Sequence, residues 1–219
     1  MLGELGASGD VAAADGLVHM VFNNNNSGNK LDFFLRREQE IDVHLDADGA
    51  AQVSVTMDLF NDLPRKGVRA IGRSGVASGL RIGENRMSLH FIVPKNALVD
   101  RFAIDGVERQ PFRGIDSDSA TVWRVLTIPP DEHVVVELSY SVPDAVRTVA
   151  GDTEFVLSLW PQATARPDLV SIVIHPPAGR AFAPTRMGQL TPERTLEWSD
   201  RLRAPRTFDL RISGREGGT

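Results

Sequence analysis

Apolar and polar residues alternate with a period of two over much of the chain. Ile41, Val43 and Leu45 are separated by single polar residues, and a second alternating segment runs from Val53 to Leu59. This alternation is typical of β-strands that bury one face and expose the other. No window keeps helical spacing long enough to oppose it, so the sequence predicts an all-β protein.

The register of these two segments predicts the turn between them. Residues directly opposite each other on paired strands share a face of the sheet. If Asp48-Gly49 alone formed the loop, apolar Leu45 would face polar Gln52. A three-residue loop that ends at Gly49, with this glycine in the left-handed conformation beside a bulge, instead pairs Leu45 with Ala51. The same register adds two further apolar pairs, Val43 with Val53 and Ile41 with Val55.

A second hairpin is predicted at Asp105-Gly106, which is a two-residue turn signal that pairs Ile104 with Val107. Further strand candidates are Leu17–Phe22, Met87–Val93, Thr121–Ile128, His133–Val142, Phe155–Trp160, Leu169–His175, Arg194–Trp198 and Thr207–Ser213. Turn signals recur roughly every 8–12 residues, as in β-sandwiches.

The fold class that we predict is all-β, with an antiparallel β-sandwich architecture of two packed immunoglobulin-like units or one elongated unit. The Ser141–Asp152 stretch has the composition of a boundary between two β units. The predicted organisation is a flexible N-terminal segment over residues 1–16, a first unit over 17–145 and a smaller second unit over 146–219.

Composition excludes several classes of function. The 219-residue chain has no cysteine, which rules out a disulfide framework, a thiolate zinc site and a cysteine nucleophile. A formal net charge of −5 argues against nucleic-acid binding. No apolar run reaches the roughly 18 residues of a membrane span. The N-terminus lacks the pattern of a signal peptide, so the targeting signal of an exported protein is expected upstream.

Two motifs resemble an actinobacterial family, domain of unknown function 4012, in its β-rich C-terminal region. They are NKLDFFLRR at residues 29–37 and GENRMSLHFIVP at residues 83–94. Asn85 and Arg86 match the family's G-T-N-R pattern, and Glu84 replaces its threonine. The resemblance, which covers residues 17–140, implies an extracytoplasmic location in the bacterial cell envelope and a membrane anchor upstream. It carries over no catalytic residue, because the family has no assigned chemistry.

The stretch from Asp62 to Arg86 is the strongest candidate for binding. It is long, rich in glycine and basic, with a formal charge of +4 in a chain of net charge −5. Guanidinium groups suit carboxylates and phosphates, so an anionic ligand or partner is expected here. The alternative is a solvated loop. The candidate residues are Arg65, Lys66, Arg69, Arg73, Arg81 and Arg86.

Other chemistry finds little support in the sequence. The DADG motif at residues 46–49 is explained by the hairpin turn and lacks the glutamate of a calcium loop. The five histidines form no His-x-His or His-x-x-x-His pair, which predicts surface histidines and no metal site. No nucleophile elbow or phosphate-binding glycine loop is present. We therefore predict no catalytic residue and no cofactor.

These observations favour a non-enzymatic envelope module with a structural or adhesive role, whose partner is a cell-wall polysaccharide or another envelope protein. A carbohydrate-binding module is the first alternative, and it would need exposed tryptophans. Trp123, Trp160 and Trp198 are instead expected in the core. A hydrolase or transferase acting on wall polymers is the second alternative, with a site assembled from distant residues.

Overall fold

The computed structural model describes residues 16–26, 31–63, 79–116, 119–149 and 152–214, and within these ranges it contains sixteen strands and one short 3-10 helix. The first sheet contains, in spatial order, β13 (Ala181–Phe182), β16 (Arg206–Ser213), β11 (Asp152–Trp160), β1 (Leu17–Asn25), β4 (Asn85–Pro94), β8 (Ser119–Ile128) and β7 (Phe112–Asp116), with β10 (Val146–Val149) also paired to β11. The second sheet contains β14 (Gln189–Leu190), β15 (Leu196–Arg201), β12 (Leu169–His175), β2 (Leu35–Leu45), β3 (Ala51–Asn61), β9 (His133–Val142), β5 (Leu98–Ile104) and β6 (Val107–Glu108).

The two sheets pack face to face around one hydrophobic core. Alternate residues of the long strands are buried, as the burial of every second side chain in β2 and β9 illustrates. The largest buried side chains come from both sheets and include Phe91, Phe155, Phe208 and Tyr140. The prediction of an all-β sandwich is therefore confirmed.

Both predicted hairpins are confirmed. β2 and β3 pair in the expected register, with Leu45 opposite Ala51, and Gly49 adopts a φ of 90°. Ile104 lies opposite Val107. The two turn residues between them, Asp105 and Gly106, have φ values of 50° and 74°. Two consecutive left-handed residues are what a two-residue hairpin turn of type I′ requires.

The sheets are mixed, whereas the sequence predicted antiparallel sheets. β1 pairs with β11 in parallel, and β2 pairs with β12 in parallel. Without these two partners, β1 and β2 would each be the edge of a smaller sheet with unpaired backbone groups. The chain from Asp152 onward covers both edges. The predicted units 17–145 and 146–219 therefore share both sheets and one core.

One strand boundary near the N-terminus needs correction. The strand candidate Leu17–Phe22 extends through Asn25 as β1, and Asn23 has polar partners inside the sandwich. A 3-10 helix, Leu31–Phe34, then leads into β2. Among the described residues, no helix is long and apolar enough to span a bilayer.

Candidate functional site

A polar network lies inside the sandwich, where β2 carries two polar residues at positions that face the core. Arg37 and Gln39 continue the buried phase of Leu35 and Ile41, and both are 4% exposed. A buried charge is costly unless it is paired and hydrogen-bonded. The structure must therefore supply partners for the Arg37 guanidinium.

Four acceptors surround this guanidinium. Arg37 Nη2 lies 2.5 Å from Asp168 Oδ2 and donates to the Val21 carbonyl at 2.9 Å. Arg37 Nη1 donates to Asn23 Oδ1 and to Gln162 Oε1, both at 2.6 Å. These contacts join β1, β2 and the connection that leads into β12. Asp168 balances the positive charge of Arg37. Because Arg37 of β2 also binds Val21 and Asn23 of β1, the network links the two sheets.

Two more side chains complete the network. Gln39 Nε2 donates to Asp168 Oδ2 at 2.5 Å, and Gln39 Oε1 lies 3.3 Å from His19 Nε2. Burial lowers the pKa of His19 to about 4, and the contact with Gln39 only partly offsets this shift. The imidazole is therefore neutral at pH 7. The sequence alone predicted a surface histidine at this position, which is wrong.

An arginine-rich cavity of about 420 Å³ lies beside this network and is named the arginine pocket here. Its polar lining consists of Arg36, Arg37, Glu38, Arg166, Arg201 and Arg203. Strand pairing assembles it: Leu169 of β12 lies between Glu38 of β2 and Arg201 of β15. Arg36 is two residues before Glu38, so it projects from the same, outer face of the second sheet.

The arginine pocket has an excess of positive charge. Asp62 Oδ2 lies 3.4 Å from Arg36 Nε and 2.7 Å from Arg166 Nη1. Arg201 and Arg203 are exposed, and neither side chain has a hydrogen bond or ion pair with another described residue. Five arginines against Glu38, Asp62 and Asp168 leave a formal charge of +2. This arrangement leaves two guanidinium groups available to an anion.

The basic stretch that the sequence predicted as a binding site supplies no lining residue of the arginine pocket among the described residues. Arg65, Lys66, Arg69 and Arg73 lie outside the described residues, and the binding role predicted for them stays a prediction. Arg81 is exposed, with its backbone N–H donating to Glu84 Oε2 at 2.8 Å. Arg86 projects from β4 in the first sheet. Neither Arg81 nor Arg86 lines the arginine pocket.

Part of the pocket was readable from the sequence. Arg37 and Gln39 occupy the apolar phase of a strand that is otherwise strictly alternating, which is a signal for a buried polar network. Nothing in the sequence identifies Asp168 or Gln162 as their partners. Both lie in or beside an irregular connection, where no periodicity predicts the direction of a side chain.

An aromatic row crosses the outer face of the first sheet. Trp123 lies opposite His90 on one side and opposite Phe112 on the other, and His90 lies opposite Phe22. Ring centroids are 4.5 Å apart for Phe22 and His90, 5.4 Å for His90 and Trp123, and 4.4 Å for Trp123 and Phe112, all in stacked geometry.

The rings of this row stack on one another, so they do not form a flat surface of exposed ring faces on which a sugar could stack. The two inner rings, His90 and Trp123, each have both faces covered by a neighbouring ring. Sugars stack on free aromatic faces, and neither inner ring has one. Trp123 and Trp160 are both half-buried and do not belong to the core, so the prediction of core positions for them is wrong. Trp198 packs against the core, edge-on to Phe208 with centroids 5.5 Å apart.

Three side chains that could ligate a metal meet at the other end of the β2–β12 pair. Asp42, His44 and His175 place one donor atom each within 4.8 Å of one another, which is the one such group among the described residues. The sequence showed single, scattered histidines. Strand pairing is what brings two of them together.

Comparison with known proteins locates the fold. No protein-family model matches the chain, and no curated protein matches it. A Legionella pneumophila structure assigned as a nutrient-binding protein is similar, with a TM-score of 0.55 at 12% identity over 90% of this chain and 71% of that one. Yeast leukotriene A4 hydrolase in complex with bestatin gives a TM-score of 0.47 at 11% identity, and the match covers 83% of this chain and 29% of the enzyme. A Deinococcus radiodurans M1 zinc metallopeptidase gives 0.38 at 11% identity, covering 82% of this chain and 42% of that one. At these identities the likeness to the Legionella pneumophila protein concerns the β-sandwich fold alone.

Proposed function

We propose that this chain is a non-catalytic β-sandwich module of a bacterial envelope protein, which binds anionic groups of a cell-wall polymer in the arginine pocket. One observation carries the proposal: Arg201 and Arg203 are exposed at the pocket and have no counter-ion among the described residues. A guanidinium presents paired N–H donors that match the two oxygens of a carboxylate or phosphate.

The pocket combines a fixed wall with free donors. Arg37 is held by four acceptors, and Arg166 is held by Asp62, so this side of the cavity is preorganised. Leu169 and Pro167 add apolar surface to the lining. An anionic group that enters the cavity would contact Arg201 and Arg203 without displacing the internal ion pairs. Preorganisation lowers the entropic cost of binding.

The non-catalytic part of the proposal is supported by the state of the buried acid. Asp168 is the one buried carboxylate among the described residues, and both Arg37 and Gln39 donate hydrogen bonds to it. Asp168 therefore stabilises the fold. Because its carboxylate is held by Arg37 and Gln39, it is not free to act as a general acid or base. The envelope location is supported by the resemblance of residues 29–37 and 83–94 to the actinobacterial family.

Co-sedimentation with isolated actinobacterial cell walls tests the proposal. The wild-type chain is compared with Arg201→Ala/Arg203→Ala and with the control Arg180→Ala/Arg186→Ala, which removes two exposed arginines that do not line the pocket. We expect salt-sensitive sedimentation of the wild type, because exposed charges are screened by salt. Loss of two charge-assisted contacts should weaken binding at least roughly tenfold.

The outcomes separate the pocket from general charge effects. Retention of binding by the control and loss by the pocket variant would support the proposal. Equal weakening of both variants would show a diffuse charge effect and would overturn the role of the pocket. No sedimentation of the wild type would reject a wall polymer as ligand. A further variant, with Arg65, Lys66, Arg69 and Arg73 all changed to alanine, tests the basic stretch separately.

A further inference from the structure

The β2–β12 pair carries a cluster of three potential metal ligands on the outer face of the second sheet. His44 and His175 lie directly opposite each other in the parallel register. Asp42 precedes His44 by two residues and therefore projects from the same face. These three residues are called the His–Asp cluster. Its side chains are accessible, with exposures of 45% for Asp42, 59% for His44 and 33% for His175.

The donor atoms of the cluster lie within 4.8 Å of one another. His44 Nε2 lies 2.7 Å from Asp42 Oδ1, and His175 Nε2 lies 3.5 Å from Asp42 Oδ2. The shorter contact does not have the direction of a hydrogen bond, and Asp42 Oδ1 is shielded from solvent with no hydrogen-bond partner. The Asp42 carboxylate therefore lies beside a nitrogen of each imidazole, and its Oδ1 has a lone pair that no described group uses.

From this geometry we infer that the His–Asp cluster is a binding site for a divalent transition metal of the zinc type. Two imidazole nitrogens and one carboxylate oxygen form a donor set that suits Zn²⁺, Co²⁺, Ni²⁺ and Cu²⁺. Magnesium and calcium favour oxygen ligands, so this donor set selects against them. Three protein ligands leave at least one coordination position for water or for a group of a partner.

Binding requires one small rearrangement. The two imidazole rings are stacked, with centroids 4.0 Å apart and an interplanar angle of 3°. A metal ion lies in the plane of each imidazole that ligates it, so the rings must tilt toward each other at their Nε2 atoms. The accessible position of both rings permits this rotation about χ2 without movement of the backbone.

The inference is independent of the arginine pocket. Both sites lie on β2 and β12, but Asp42 and His44 are four and six residues farther along β2 than Glu38, or about 13–20 Å at roughly 3.3 Å per residue. A bound ion would tie β2 to β12, which is one of the two parallel pairings that attach the C-terminal part of the chain. The expected consequence is metal-dependent stabilisation of this joint.

Metal titration of purified protein tests the site. Co²⁺ binding is followed by its visible absorption and Zn²⁺ binding by calorimetry, for the wild type and for Asp42→Ala, His44→Gln and His175→Gln. The control is His133→Gln, which removes an exposed histidine of the same sheet that contacts a single carboxylate, Asp58, at 2.9 Å. All five histidines lie in the described residues, so each possible imidazole ligand is known.

We expect one ion per wild-type chain, unchanged affinity in His133→Gln, and at least roughly tenfold weaker binding in each of the three cluster variants. Zn²⁺ should also raise the unfolding midpoint of the wild type, because an ion that binds only the folded state stabilises it. The cluster side chains are accessible, so the variants are expected to fold, which circular dichroism verifies. Unchanged affinity in any cluster variant, or no saturable binding by the wild type, would overturn the inference.

Discussion

Substitution of Asp168 by alanine should strongly destabilise the protein. The side chains of Arg37 and Asp168 are only 2% and 5% exposed, so water cannot replace the missing carboxylate. Asp168→Ala leaves the Arg37 charge inside the sandwich with three neutral acceptors, Val21, Asn23 and Gln162. It also leaves the Gln39 amide without its acceptor.

The expected cost follows from these contacts. A buried hydrogen bond to a charged group contributes about 1.5–3 kcal/mol, and Arg37 and Gln39 both donate to the charged Asp168 carboxylate, so the two bonds together contribute about 3–6 kcal/mol. Removal of one partner of a buried ion pair costs about 3–5 kcal/mol by a separate comparison. Both routes predict a loss of about 3–5 kcal/mol. This is a large part of the about 5–15 kcal/mol typical of a folded domain.

Equilibrium unfolding in urea measures this loss as a change in midpoint at constant slope. The control is the double variant Arg37→Met/Asp168→Ala, in which the uncompensated charge is absent. Its cost should be smaller than the sum of the two single costs by at least about 1–2 kcal/mol, since the residues interact directly. A cost below about 1 kcal/mol for Asp168→Ala would refute the reasoning, because that value is typical of a solvent-exposed pair.

Three further outcomes are expected. Gly49→Ala should cost about 1–2 kcal/mol, because a φ of 90° disfavours any residue with a Cβ, whereas Gly114→Ala, in a β-strand with open space around the added Cβ, should cost less than about 1 kcal/mol in the same urea assay. His19 should make the protein less stable in acid. Its pKa is lowered to about 4 in the folded state, so the unfolded state binds a proton at a higher pH than the folded state does. The contribution of neutral His19 to the free energy of unfolding is complete above about pH 6.5 and is lost as the pH falls toward 4. The loss at pH 5 is about 2 kcal/mol, and a pH series of urea midpoints should show it in the wild type and not in His19→Gln. Tyr140→Phe should be neutral or stabilising by up to about 1 kcal/mol in thermal unfolding, because the Tyr140 hydroxyl is buried and has no hydrogen-bond partner among the described residues; a clear destabilisation would reveal a bound water.

The sequence predicted local structure well because alternation encodes which face of a strand is buried. It placed the register of β2 and β3 correctly, since only one turn length brings apolar residues opposite each other. It could not predict that β2 also pairs with β12, because alternation identifies a buried face and carries no information about the neighbouring strand.

The candidate sites show the same limit. Arg37 was detectable as a charge on the apolar phase of its strand, but its partner Asp168 was not. His44 and His175 are far apart in the sequence and meet only through a parallel pairing, for which no short motif exists. Of the basic stretch that composition favoured, the two described arginines, Arg81 and Arg86, do not line the arginine pocket that the fold assembles.

The two parallel pairings also determine the order in which the molecule can be completed during synthesis. All strands up to Val142 are synthesised before β11, and in the complete fold they make up four strands of the first sheet and five of the second. Before β11 and β12 pair with them, β1 and β2 are edge strands with unpaired backbone N–H and C=O groups. Such edges can pair with an extended segment of another chain. We therefore expect a truncated chain that ends near residue 145 to exchange strands with another copy more readily than the full chain, because β11 and β12 cover these two edges in the complete fold.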